Sequence, residues 1–205
     1  MNEPGHLFVI AAPSGAGKTS LVKALLAADP RLALSISHTT RAPRANEADG
    51  REYHFVTAEH FAQLVRSGGF LEHAQVFDNH YGTGRDQAQA QLAAGRTVIL
   101  EIDWQGAQQV RQARPGTASI FILPPSLAEL RRRLEGRATD SPQVIARRLA
   151  DAQGDMSHWQ EFDYVVVNDS FDRALADLQR ILAGDGAALR ADRPELAPLL
   201  ANLLA

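Results

Sequence analysis

The chain has no cysteine. That excludes disulfide staples, thiolate nucleophiles and thiolate metal sites, and it suits a reducing compartment, the cytoplasm above all. Aromatic residues are sparse, at 6%, so a core must be built mainly from aliphatic side chains. No uninterrupted apolar run approaches the roughly 20 residues of a membrane-spanning helix. No basic lead precedes the short apolar segment 6–12, so neither an anchor nor a secretory leader is expected. Positive charge is not in excess either: 21 Lys and Arg stand against 24 Asp and Glu, a formal net charge of −3. Nucleic acid and anionic membrane are therefore not expected as partners. No internal repeat is visible. The seven histidines show no metal-ligand spacing.

What is present reads as one ordinary globular domain. The 205 residues are 45% hydrophobic and 22% charged, enough for a real core with a small inserted subdomain. Apolar runs of strand length alternate with helical patterns: 6–12 then 18–30, 97–103 then 104–113, 119–125 then 126–136, 164–168 then 171–182. Strands that are apolar throughout and alternate with helices predict an α/β fold with a mostly parallel sheet covered on both faces. Ser126 and Glu129 have capping-box spacing. Residues 34–90 break the rhythm with short β-type runs, turn residues and many charged and hydroxyl side chains. They read as an α+β insertion whose small core would use Tyr53, Phe55, Phe70 and Phe77. The core of the fold is then 5–33, 91–130 and 150–183. The tail, 184–205, places Leu196, Leu199, Leu200, Leu203 and Leu204 at helical spacing, with Pro198 in the first turn. A helix packed on its own domain is the expected reading of that stripe, and self-association into a homo-oligomer the alternative.

The segment Ala12, Pro13, Ser14, Gly15, Ala16, Gly17, Lys18, Thr19, Ser20 lies between a strand and a helix and ends as phosphate-binding loops do. Gly15 and Gly17 stand where the backbone must bend around an anion and present N–H groups. The helix beginning near Lys18 adds its N-terminal partial positive charge. Lys18 is expected on the β- and γ-phosphates of ATP, and the Thr19 hydroxyl on Mg²⁺. Ala12 stands where the usual motif has its first glycine, but it marks the strand end rather than the tightest part of the wrap.

Such a loop serves many reactions, and the insertion narrows them. Arg41 and Arg44 are three apart, followed by Glu47 and Tyr53. Two guanidinium groups with a phenol suit the phosphate of a nucleoside monophosphate, and a carboxylate at 47 can accept paired donors from a base edge. Here the chain resembles the guanylate kinase family, from about Leu7 to Leu182, through "APSGAGKTS", "SISHTTRAPR", "EADGREYHFV", "FLEHAQVFDNHYGT", "EIDWQGAQQVR", "ILPPS", "RLEGRATD" and "YVVVND". The resemblance implies a P-loop three-layer fold in which the insertion binds GMP and 131–149 forms a helical lid. It implies transfer of the γ-phosphoryl group of MgATP to GMP, with dGMP as a further acceptor. Ser37 and Glu47 match guanine ligands, Asp103 another guanine-side acid, and Glu72 and Thr83 the nucleoside pocket. Arg41, Arg44, Tyr53 and Tyr81 match ligands of the GMP phosphate. Arg133, Arg137 and Arg148 match lid arginines that close over the ATP phosphates, whereas Arg131, Arg132 and Arg147 read as solvated. Asn168 matches a position near adenine, where a structural turn residue is the competing reading. Glu101 replaces a more usual aspartate and, with Asp103, is a candidate for holding waters of the metal. Asn46 stands where glycine is frequent.

Two other functions fit parts of the pattern. A phosphopeptide-binding module of the same ancestry would have an eroded phosphate loop, yet Lys18 and Thr19 are both present. A related small kinase acting on another phosphorylated acceptor would lack reason for Ser37 and Glu47.

Overall fold

The computed structural model describes residues 5–76, 78–136 and 141–205. Strand β1 (Leu7–Ala11) is buried along its whole length. It leads into helix α1 (Lys18–Ala28), which turns Leu21, Val22 and Leu25 inward. Then come β2 (Leu32–Leu34), β3 (Ser37–Thr39), β4 (His54–Phe55), α2 (Ala58–Arg66), β5 (Phe70–Val76), β6 (Asn79–Gly84) and α3 (Arg85–Ala93). After these follow β7 (Thr97–Glu101), α4 (Trp104–Ala113), β8 (Ala118–Leu123), α5 (Leu127–Glu135), α6 (Pro142–Met156), β9 (Tyr164–Val167), α7 (Phe171–Leu182) and α8 (Ala197–Leu203). The central sheet has the order β2-β7-β1-β8-β9, and the pairs β2–β7 and β8–β9 are parallel. Continuous apolar strands and βα alternation thus give the mostly parallel α/β sheet that the sequence predicts.

The chain divides into two compact units, one of Met1–Val9 with Pro30–Thr117, the other of Ile10–Asp29 with Ala118–Ala205. In the first unit, Val98, Ile99 and Leu100 of β7 are fully buried. Four further strands form a second sheet in the order β4-β3-β6-β5. Its registers bring Ser37 and Glu72 opposite Thr83, and Thr39 and Ala74 opposite Tyr81. Because side chains alternate across a strand, one face of this sheet carries Ser37, Thr83, Glu72 and Tyr81. The other carries His38 and His73, with Phe61 of α2 packed on Phe70 at 4.7 Å between ring centroids. The aromatic core expected of the insertion is thus the pair Phe61–Phe70, both buried. Tyr53 and Phe55 are only half-buried and lie instead beside Arg41, at 5.4 and 5.8 Å from its guanidinium carbon. Phe77 lies outside the described residues.

In the second unit, Ile120–Leu123 of β8 and Val165 and Val166 of β9 form the centre, with Leu130 and Leu134 of α5 and Leu178 of α7. Ser126 caps α5 by accepting from the Glu129 amide at 3.1 Å. The Glu129 carboxylate does not return the favour as a capping box would have it; both of its oxygens are taken by arginines of the next turn. The tail turns back onto this unit: the Ala191 amide donates to the Asp163 carbonyl at 3.0 Å. Leu196, Leu200 and Leu203 are buried there, while Leu204 is exposed. Among the described residues no helix is long and apolar enough to cross a membrane.

Candidate active site

The phosphate loop belongs to the second unit. Pro13 and Ala16 close a turn, with the Ala16 amide donating to the Pro13 carbonyl at 3.2 Å. Gly15 and Gly17 have φ of 92° and 95°, left-handed backbone that glycine adopts without penalty. At Gly17 space matters as well, since a Cβ would stand 2.5 Å from the Asn168 Nδ2. No side chain caps α1 and no acidic residue lies in its first turn. A helix end built in this way leaves backbone N–H groups and a positive dipole end for an anion. Lys18 is half-buried, and Thr19 and Ser20 are exposed.

Around the loop the structure gathers three of the residues that the sequence singles out. Asn168, at the end of β9 and buried, donates from Nδ2 to the Ala16 carbonyl at 2.7 Å. Arg133 donates from Nη1 to the same carbonyl at 3.3 Å and from Nη2 to the Asn168 carbonyl at 2.9 Å. Arg148 of α6 donates from Nη2 to the Ser14 hydroxyl at 2.6 Å. Arg137 lies outside the described residues. Ala12, half-buried, follows the last residue of β1.

The other candidate residues belong to the first unit. Glu72 is 3% exposed and Thr83 fully buried, and the Thr83 hydroxyl donates to Glu72 Oε1 at 2.5 Å. Ser37 sits in the same row through its pairing with Thr83. Asp103 caps α4, its Oδ1 accepting from the Gly106 amide at 2.9 Å and its Oδ2 from Gln105 at 3.2 Å. A Cβ at Gly106 would collide with Glu72 Oε2, so the absence of a side chain there lets the Glu72 carboxylate approach the start of α4. Sequence reading missed Gly106. Its signal, a lone glycine in the first turn of a helix, points to a close approach only once the neighbour is known.

Arg41 and Glu47 form a half-buried pair. Arg41 Nη2 donates to both carboxylate oxygens at 2.9 Å, and the Arg44 amide donates to Glu47 Oε2 at 2.8 Å. Burial alone would raise the Glu47 carboxyl, but the Arg44 amide and the Arg41 guanidinium outweigh it and hold the group below the usual carboxylate range. The Arg44 side chain is mostly exposed and reaches Glu47 only at 3.9 Å. Tyr53 lies 5.8 Å from Tyr81 between ring centroids. Burial, then the charge of Glu101, pushes the Tyr53 phenol up to about 12, so it stays a hydrogen-bond donor at neutral pH.

Among the described residues no group of three or more His, Asp or Glu side chains is placed to hold a metal ion. The donor set around the loop, one exposed Thr19 hydroxyl with backbone amides, fits a hard ion that arrives with its own phosphate and water oxygens, as Mg²⁺ does.

A family model described as guanylate kinase matches residues 5–185. The chain is 58% identical to the guanylate kinase of Alkalilimnicola ehrlichii, over 98% of this chain and 99% of the relative. It is 49% identical to that of Escherichia coli K12, over 98% of each. A crystal structure of guanylate kinase from Anaplasma phagocytophilum superimposes with a TM-score of 0.75 at 31% identity, covering 100% of this chain and 98% of that one. With the whole fold and nearly the whole length matched, the chain belongs to the guanylate kinase family.

Proposed function

We propose that the chain transfers the γ-phosphoryl group of ATP to GMP. A GMP phosphate oxygen attacks the γ-phosphorus, the bond to the bridging oxygen breaks, and GDP and ADP leave. The buried Glu72 carboxylate, in one row with Thr83 and Ser37, carries the choice of acceptor. Guanine offers N1–H and N2–H₂ together, which a carboxylate accepts as a pair, and an O6 to which a hydroxyl donates. Adenine offers that carboxylate no such pair of donors.

The sequence assigns Ser37 and Glu47 to the base. Because Glu47 has both oxygens on Arg41, the better division gives the base to Glu72, Thr83 and Ser37 and makes Glu47 the holder of Arg41. Arg41, Arg44, Tyr53 and Tyr81 then take the GMP phosphate, and Asp103 fixes the start of α4 beside Glu72. On the donor side, residues 12–20 wrap the ATP phosphates. Lys18, Arg133, Arg137 and Arg148 neutralise charge during transfer, and Asn168 holds the loop from β9. Phosphoryl transfer asks for this equipment of positioned cations rather than for a strong base. Thr19 would hold Mg²⁺, which would neutralise negative charge on the ATP phosphates during transfer.

dGMP, which carries the same base and phosphate, is expected as an acceptor too. A cytoplasmic location, where ATP and GMP are available, agrees with the lack of cysteine. The role is guanine nucleotide recycling toward GTP. The test is a coupled ADP-release assay with MgATP and each of GMP, dGMP, AMP, CMP and UMP. GMP is expected to have the highest kcat/KM. Turnover of AMP in preference to GMP refutes the assignment.

A further inference from the structure

Arg133 is held from two ends. Its Nη1 and Nη2 reach the Ala16 and Asn168 carbonyls, while its Nε donates to Glu129 Oε1 at 2.7 Å, one helical turn back on α5. Glu129 is itself fixed, with its amide on the Ser126 hydroxyl. The same carboxylate takes Nε and Nη2 of Arg132, both at 2.7 Å. Hydrogen bonds from Arg132 and Arg133 draw the Glu129 carboxyl down to about 2, so it is charged at any working pH. The two arginines differ in setting: the Arg132 side chain is 74% exposed and the Arg133 side chain 23%. Helix α5 is packed against the loop: Leu130 and Leu134 are fully buried, and each would stand 2.9 Å from a Cβ built on Gly15.

A guanidinium group is planar and has five N–H donors. Once Nε is directed at Glu129, the plane is set and so are the directions of the other four. Two of those four reach the loop and β9 carbonyls, and the remaining two have no partner among the described residues.

We propose that Glu129 is a positioning residue for the phosphoryl-donor side: it orients Arg133 so that the donors left over by Ala16 and Asn168 face the bound ATP. The inference rests on the reading of the loop and Arg133 as the ATP site. Glu129 does not touch substrate; it acts through Arg133.

The experiment compares Glu129→Gln, Glu129→Ala and Arg132→Ala with the unaltered protein in steady-state assays, varying ATP and GMP separately, with thermal midpoints measured in parallel. Both Glu129 variants are expected to raise KM for ATP by on the order of tenfold, below the ~10²-fold that a 1 Å misplacement can cost. KM for GMP and the thermal midpoint stay unchanged. Arg132→Ala, which removes only the exposed partner, leaves KM for ATP as it was. An unchanged KM for ATP in Glu129→Ala overturns the proposal. So does an equal rise of both KM values with a lowered midpoint, the signature of a merely structural residue, and so does an Arg132→Ala variant that reproduces the ATP defect. An unaltered protein that does not use ATP and GMP removes the proposed function itself, and this inference with it, a result distinct from the others.

Discussion

Glu72→Gln is the sharpest perturbation of the acceptor side, because it changes one buried atom and little else. The glutamine carbonyl can still accept from the Thr83 hydroxyl, which now donates to Oε1 at 2.5 Å. The second terminal atom becomes an NH₂ beside Gly106, where Oε2 now stands. One N–H of guanine then loses a charged acceptor and faces a donor instead. A hydrogen bond to a charged group contributes about 1.5–3 kcal/mol, and the opposed donors bring the loss toward the upper value. At about 1.36 kcal/mol per tenfold, kcat/KM for GMP should fall on the order of 100-fold. The thermal midpoint should not fall, since the bond to Thr83 remains and a buried charge is removed. The assay compares GMP with IMP, which lacks the N2 amino group. The unaltered protein should favour GMP strongly, and Glu72→Gln should narrow that ratio. Glu47→Gln should weaken both acceptors alike, because it loosens Arg41 and not the base. An unchanged GMP-to-IMP ratio in Glu72→Gln, or a collapse of that ratio in Glu47→Gln, would refute the division of roles and return the base to Glu47.

Two further outcomes follow from the geometry. Gly17→Ala places a Cβ 2.5 Å from Asn168 Nδ2 in left-handed backbone. It should abolish most ATP-dependent turnover and lower the thermal midpoint; isothermal titration with an ATP analogue showing wild-type affinity would contradict this. Acid should weaken the packing behind the insertion sheet. Burial, then the nearby His54 and His60, lowers His38 below its ordinary value, so the folded protein holds fewer protons than the unfolded chain there. That contribution is complete above about pH 6.5, and it is lost as pH falls from there through the lowered folded value. The thermal midpoint should therefore drop between pH 7 and 5.5, and less in His38→Gln; an equally steep drop in that variant would count against the account.

The alternation of apolar strands with helices is a local pattern, and it predicted β1, β7, β8 and β9 with their following helices to within a residue or two. The loop was equally legible, since strand, glycines, lysine and helix are contiguous and their left-handed turns at Gly15 and Gly17 are consequences of glycine itself. The short strands of the insertion were less so. Their faces depend on register between segments some forty residues apart, such as Ser37 with Thr83, and a one-residue slip would turn every side chain over. The division between Glu47 and Glu72 was hidden for the same reason. Both carboxylates follow motif arginines or aromatics in sequence, and only pairing across strands buries one beside Thr83 while the other folds back onto Arg41.

By itself, then, the sequence determined the elements, their order, the phosphate loop and the family, because those depend on short-range periodicity and contiguous motifs. Tertiary structure alone decided which carboxylate is buried, that Gly106 makes room for it, and that Glu129 meets Arg133 rather than its own helix cap. The first two turn on where non-contiguous backbone brings a polar atom into a dry site, where it takes whichever partner lies within about 3 Å. The third turns on the Ala16 and Asn168 carbonyls that hold the other end of the Arg133 guanidinium.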